Sequence, residues 1–243
     1  MSFNDFMKYE CRYVKGLVAF LDILGFKEYI KKADAAEVYS YYMQLQIFYQ
    51  KSLDNGLNVA VFSDSIIITC KDVENSQFLS ACSFLCNLIK WELKLYVRGG
   101  ITYGEYFCEG NICYGRAVVD AYLCEEQAED IKILIDPKAV LFMKKDIKYF
   151  DYDFCKKEYS INYYVYTWKV FFRMKRLALK NVMGGNSIKC VLEMDRSDLI
   201  RVLETNKGKR YYSKYKWLLV SFNRACDYAR REGVHIFPIL YEI

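Results

Sequence analysis

Residues 16–22 (GLVAFLD) form an apolar run that ends on an acid, and Gly25 interrupts the chain three residues later. The stretch predicts a buried strand followed by a turn. From Lys27 to Leu53 apolar and aromatic residues recur at helical spacing. Two short apolar runs follow, 57–62 and 65–70, separated only by Ser63 and Asp64 as in a tight hairpin. A second amphipathic helix is expected over Ser76–Leu93, and LYVRGGITYGE reads as a strand. Gly99, Gly100 and Gly104 in that strand mark bulges or close backbone approaches. YFCEGNICYG predicts a hairpin with a Gly-Asn turn, 115–128 a third helix, and IKILIDP a strand that stops at Pro137. Beyond it we expect a short helix, one or two strands through INYYVYTW, helices near 193–205 and 212–232, and a final strand.

The order is β-α-β-β-α-β with an added hairpin, helix and strand. It predicts an α+β fold with a ferredoxin-like βαββαβ core, an antiparallel-rich sheet covered by helices, and an α/β C-terminal extension. Residues 1–145 are read as the core and 146–243 as an extension packed on it, not an independent domain. A chain of 243 residues can bury a core of that size.

Asp22 closes an apolar strand, where a carboxylate is costly to bury unless something pairs with it. Asp64 repeats the design where one strand ends and the next begins. In this topology the first strand neighbours the hairpin, so the two carboxylates meet at one edge. Converging negative charges require a proton or a cation between them. A divalent metal held by two carboxylates, its shell completed by water and phosphate oxygens, suits such a pair. Gly25 would let the backbone of 23–26 approach a polyphosphate just ahead of a helix. The plainer alternatives are that Asp64 is an ordinary turn residue and that Asp22 caps the helix beginning near Lys27.

Composition narrows the chemistry. The one histidine, His235, excludes reactions that need a histidine cluster and reads as structural. Ten cysteines occur without any CxxC, and Cys82 and Cys86, four apart, have no matching pair for zinc. Reduced thiols in a cytoplasmic protein are the expectation. There is no basic-then-apolar leader and no apolar run of about 18 residues, so neither export nor a membrane span is expected. The 23 tyrosines and 16 phenylalanines are spread as packing residues, with Tyr41, Tyr42 and Phe62 the alternative stackers for a base. Net charge is only +5, yet residues 169–216 hold 13 Lys/Arg against 4 Asp/Glu. That segment is either a solvated basic surface or a field for phosphates.

FLDILGF and FSDS resemble the two metal motifs of the class III nucleotidyl cyclases. VRGGITYGE resembles the strand that follows in those enzymes, and GRAVVDAYLCEEQA with ILID their late helix and strand. The resemblance covers about residues 14–136, and its wording is most similar to the pyrimidine cyclases of Pycsar anti-phage defence. It implies Asp22, the Ile23 carbonyl and Asp64 as ligands of two Mg²⁺ or Mn²⁺ ions. It implies substrate phosphates on the backbone of Ile23, Leu24, Gly25 and Phe26. The substrate would be UTP or CTP, cyclised to cyclic UMP or cyclic CMP. The enzyme would be a homodimer with its sites at the interface, signalling to a separate cyclic-nucleotide-activated effector, with no membrane or nucleic-acid partner. The lysine and aspartate with which purine cyclases read their base are replaced by Ala60 and Ile112, and the late-helix asparagine and arginine by Val119 and Leu123. Arg98 and Arg116 are the candidates to supply the missing catalytic charge. Two other readings remain: a catalytically degenerate nucleotide-binding domain, and a palm-type nucleotidyltransferase.

Overall fold

The computed structural model describes residues 12–72, 77–169, 185–209 and 212–239. β1 (Val14–Leu24) leads into a one-turn helix α1 (Phe26–Ile30) and then α2 (Ala35–Asp54). β2 (Leu57–Phe62) and β3 (Ser65–Cys70) form a hairpin, followed by α3 (Gln77–Leu93), β4 (Tyr96–Glu109), β5 (Ile112–Tyr114), α4 (Arg116–Gln127) and β6 (Ile133–Ile135). Then follow α5 (Pro137–Phe142), a 3₁₀ turn, β7 (Phe150–Asp153), β8 (Glu158–Ile161), α6 (Gly185–Asn206) and α7 (Tyr212–Arg231). One sheet runs β2-β3-β1-β4-β6-β8-β7, with β5 paired to β4. All its pairings are antiparallel except β4 with β6. The first four core strands thus take the ferredoxin-like order, and the α+β expectation is met.

Side chains alternate across β1 as a strand requires. Leu17, Ala19, Leu21 and Ile23 enter the main core with α2, α3 and the last two helices. Val18 and Phe20 point to the other face, covered by α4 and by the β4–β5 hairpin through Tyr106, Cys108 and Cys113. β7 and β8 extend the same sheet, and Leu199, Leu218 and Phe222 from α6 and α7 share the main core. A buried pair, Lys90 on α3 with Asp195 on α6, ties extension to core, and the Trp168 indole N–H donates to the same carboxylate at 2.9 Å.

The segment Lys27–Leu53 is two helices, because Asp34 caps α2 by accepting from the amides of Ala36 and Glu37 at 2.8 and 2.9 Å. Asp22 caps nothing; α1 starts on Gly25 in the left-handed region, φ 82°, without a side-chain cap. INYYVYTW is strand only as far as Ile161. There the Asn162 side chain accepts from the amides of Tyr164 and Val165, starting a helical turn over 165–169 whose aromatics fill the core. Residues 234–239 form no strand, and 240–243 lie outside the described residues. Much of the basic segment, 170–184, lies outside them too. Cys82 and Cys86 are buried on α3, and burial pushes the Cys86 thiol up to about 12, as expected of inert core residues.

α4 lies close on the sheet because its inward stripe is Ala117, Ala121 and Glu125, and because β4 offers glycine beneath it. A Cβ on Gly100 would stand 2.3 Å from the Ala121 carbonyl oxygen and 2.6 Å from the Glu125 nitrogen, both backbone atoms that cannot swing away. Gly100→Ala is therefore expected to lift α4 and destabilise the fold by about 2 kcal/mol or more. Chemical denaturation measures this, and an unchanged midpoint would contradict the close docking.

Candidate active site

Register brings the site together. Across the sheet, Phe62 pairs with Ser65, Ser65 with Asp22, and Asp22 with Arg98. Directly paired residues share a face, so Phe62, Ser65, Asp22 and Arg98 make one row over four strands, spaced by about 4.8 Å per strand. The row lies on the α4 face, at the end of the sheet where the β2–β3 turn sits. That turn is Ser63-Asp64, with Ser63 forced to φ 56°. Its geometry is pinned by the Ile23 amide, which donates to the Asp64 carbonyl at 2.9 Å. The turn carrying one acid is thus tied by a backbone bond to the residue following the other.

The electrostatics are unbalanced. Burial pushes the Asp22 carboxyl up to about 6, and the negative charges of Glu125 and Asp64 push the same way; the Arg98 guanidinium opposes them. Arg98 does little for Asp22 because it is committed elsewhere. Its Nε donates to Glu125 Oε1 at 2.5 Å and its Nη1 to the Ala128 carbonyl at 3.2 Å. Glu125 is almost fully buried and uses the arginine as its counter-ion. Three carboxylates therefore face one guanidinium. Such a surplus of negative charge fits a divalent cation, and hard cations take carboxylate, carbonyl and water oxygens. Among the described residues no group of three or more His, Cys, Asp or Glu forms a closed metal cage. Asp22, Asp64 and the backbone at Ile23 would hold only part of a cation's shell and leave the rest for water or a ligand.

The remaining candidates are dispersed. The Ile23 amide is spent on Asp64, Leu24 is the last residue of β1, Gly25 is the N-cap of α1 and Phe26 is buried as its first residue. Arg116 is 85 % exposed at the start of α4, with Asp120 at 3.9 Å. α4 runs with Ala117 beside Gly104 and Glu125 beside Gly100. Arg116 is consequently at the opposite end of the helix from Asp22, about 20 Å along β4. Tyr41 is core and Tyr42 is exposed on α2, whereas Phe62 is half-exposed beside the acids. Ala60 is fully buried, Ile112 stands out on the hairpin, and Val119 and Leu123 lie on the outer side of α4. Glu125 escaped the sequence reading. Its signal was there, a glutamate at the third step of an Ala117–Ala121 helical stripe, where an acid has no reason to face inward without a cation.

No family model matches the chain, and no curated protein matches it. Solved structures that match include adenylyl and guanylyl cyclases. A bacterial light-regulated adenylyl cyclase is 16 % identical over 56 % of this chain and 47 % of its own, with TM-score 0.46. The guanylyl cyclase domain of the RhoGC fusion protein from the aquatic fungus Blastocladiella emersonii is 16 % identical over 61 % of this chain and 95 % of its own, with TM-score 0.46. The adenylyl cyclase CyaB from P. aeruginosa is 20 % identical over 62 % of this chain and 93 % of its own, with TM-score 0.43. The chain thus spans about half the length of the light-regulated enzyme. At these scores the functional reading rests on the site itself.

Two measurements test the site. A carboxyl raised from 3.8 to about 6 binds its proton more tightly in the folded chain. Relative to an ordinary aspartate, the fold is favoured at low pH and loses that advantage as the pH rises through 6. Asp22→Asn should raise the melting midpoint at pH 8, with the gain shrinking toward pH 4; an equal shift at both pH values would refute the charge imbalance. Arg98→Met should cost about 3 kcal/mol in urea unfolding by stranding Glu125, and most of that should return in Arg98→Met/Glu125→Met. A double variant no more stable than Arg98→Met alone would show that the pair is not coupled.

Proposed function

We propose that the protein is a nucleotidyl cyclase that converts a pyrimidine nucleoside triphosphate, UTP or CTP, into the cyclic monophosphate and pyrophosphate. The observation that carries the reading is the meeting of Asp22 with the Asp64 turn at one end of the sheet under uncompensated negative charge. Asp22 and Asp64 would hold two Mg²⁺ or Mn²⁺ ions, together with the Ile23 carbonyl. Metal ions bound there would supply Lewis acidity, lowering the pKa of the ribose 3′-hydroxyl and neutralising the triphosphate. The backbone of Leu24, Gly25 and Phe26, at the opening of α1, would receive phosphate oxygens, since the first amides of a helix have no intrahelical partner. Phe62, at the far end of the row, would stack on the base. Ala60 and Ile112 would offer the base no polar contact of the kind that reads a purine, which supports a pyrimidine substrate. The 3′-hydroxyl would give its proton to water as its oxygen attacks the α-phosphorus in line and the bond to pyrophosphate breaks; positioning and charge would do the catalysis, with no side-chain nucleophile.

Arg98 would stabilise charge at the α-phosphate, held in place by Glu125. Arg116 would enter a site only from a second copy of the chain. A homodimer is supported by the exposed Val119, Tyr122 and Leu123 on α4, one helical stripe, with Ile112 and Tyr114 exposed on β5. Among the described residues no helix is long and apolar enough to cross a membrane. Cytoplasmic synthesis of a second messenger in anti-phage defence, read by a separate effector, completes the proposal. A second reading, a degenerate nucleotide-binding domain, is favoured by one observation: the Arg98 guanidinium is already occupied by Glu125 and Ala128.

Incubation with Mn²⁺ and each of the four ribonucleoside triphosphates separates the two. The cyclase should release pyrophosphate and a cyclic monophosphate from UTP or CTP, and Asp22→Ala and Asp64→Ala should each lose at least about 100-fold. Nucleotide binding without product would establish the degenerate reading instead.

A further inference from the structure

The β4–β5 hairpin carries two cysteines that the proposed reaction does not use. Its turn is Gly110-Asn111, with Gly110 at φ 54°, the positive value that a two-residue hairpin turn needs at its first central position. The strands pair Glu109 with Ile112, Cys108 with Cys113 and Phe107 with Tyr114. In a two-residue hairpin the pair flanking the turn exchanges both backbone hydrogen bonds. The next pair out is the close, non-hydrogen-bonded kind, with Cα atoms about 4.5 Å apart. That pair is Cys108 and Cys113, and the spacing falls within the range a disulfide spans. Phe107 and Tyr114 stack on the other side of the ribbon, centroids 5.1 Å apart, holding the register. The two thiols are half-buried against Val18, Ala60 and Ile67, within hydrogen-bonding reach of each other. Their contact favours a thiolate on Cys108, with the proton kept on Cys113. Cys82 and Cys86, by contrast, are fully buried with no such access.

We propose that Cys108 and Cys113 form a reversible redox-active dithiol, a modification site that closes into an intra-hairpin disulfide on exchange with a small-molecule disulfide. The Cys108 thiolate attacks one sulfur of that disulfide, forming a mixed disulfide and releasing one small thiolate. Cys113 sulfur then attacks the Cys108 sulfur, forming the protein disulfide and expelling the second small thiolate. The two cysteine protons end on the two released thiols, and the two electrons go to the small disulfide. The pair is half-buried, not enclosed as Cys82 and Cys86 are, so a small thiol can reach the bridge and reopen it, which suits reversible chemistry over structural cross-linking. Closure would tie together the two strands of the hairpin that overlies the face carrying Asp22, and it requires neither nucleotide nor metal.

The full chain, first reduced, is incubated with oxidised glutathione, acid-quenched, alkylated and digested with trypsin. Cleavage after Arg98 and Arg116 isolates residues 99–116, which hold these two cysteines alone. The expected product is that peptide lacking two hydrogens, unalkylated and free of glutathione. In Cys113→Ser the first step has no resolving thiol. Its Cys108 should therefore carry at least about tenfold more glutathione than in the wild-type chain, since the neighbouring thiol acts at high effective concentration. Two alkylated cysteines in peptide 99–116 while the exposed Cys155 is glutathionylated would overturn the proposal. So would a wild-type chain that accumulates the mixed disulfide as much as Cys113→Ser does. Far-UV circular dichroism of Cys113→Ser, matching wild type, keeps the comparison on folded protein.

Discussion

The register of β1 between β3 and β4 is the constraint on which the site depends. Antiparallel pairing on both sides puts Asp22 opposite Ser65 and opposite Arg98 at once. A slip of one residue would turn Leu21 and Ile23 out of the core and Asp22 into it, so burial of the alternate residues locks the row in place. The turn after Phe62 is then tied back through the Ile23 amide, and the second acid follows from the first.

The same close packing that fixes the sheet creates its electrostatic imbalance. Gly100 and the alanines of α4 bring the helix onto the sheet, and Glu125 is carried with it into a nearly dry position. Arg98 answers Glu125 and is left with little to offer Asp22. One guanidinium thus stands between two acids, serving the buried Glu125 on one side and neighbouring Asp22 on the other.

The extension is joined to this core by sheet pairing and by buried polar groups. β8 continues from β6, while Lys90, Asp195 and Trp168 connect α3 to α6 through a buried ion pair and an indole hydrogen bond. Removing Lys90 or Asp195 would leave an unpaired charge in the interior, so this contact is costly to break. INYYVYTW is as apolar and aromatic as any strand, so its composition predicts one where the structure has strand only to Ile161. The polar stop at Asn162, which redirects the backbone into a helical turn, depends on amides two and three residues ahead.

What the sequence by itself determined is local. Alternation and helical spacing, with Gly and Pro as punctuation, located β1 to β6 and α2 to α4, the Ser63-Asp64 and Gly110-Asn111 turns, and the two acids at strand ends. These are properties of neighbouring residues, legible because side-chain periodicity and turn chemistry act over a few positions. Tertiary structure decided the rest. It spent Arg98 on Glu125, set Arg116 at the far end of α4, opened Phe62 beside the acids while burying Tyr41, and faced Cys108 with Cys113. Whether a charge is free or neutralised, and whether a ring is core or site, depends on groups many residues away, whose proximity is set only when the sheet and helices pack.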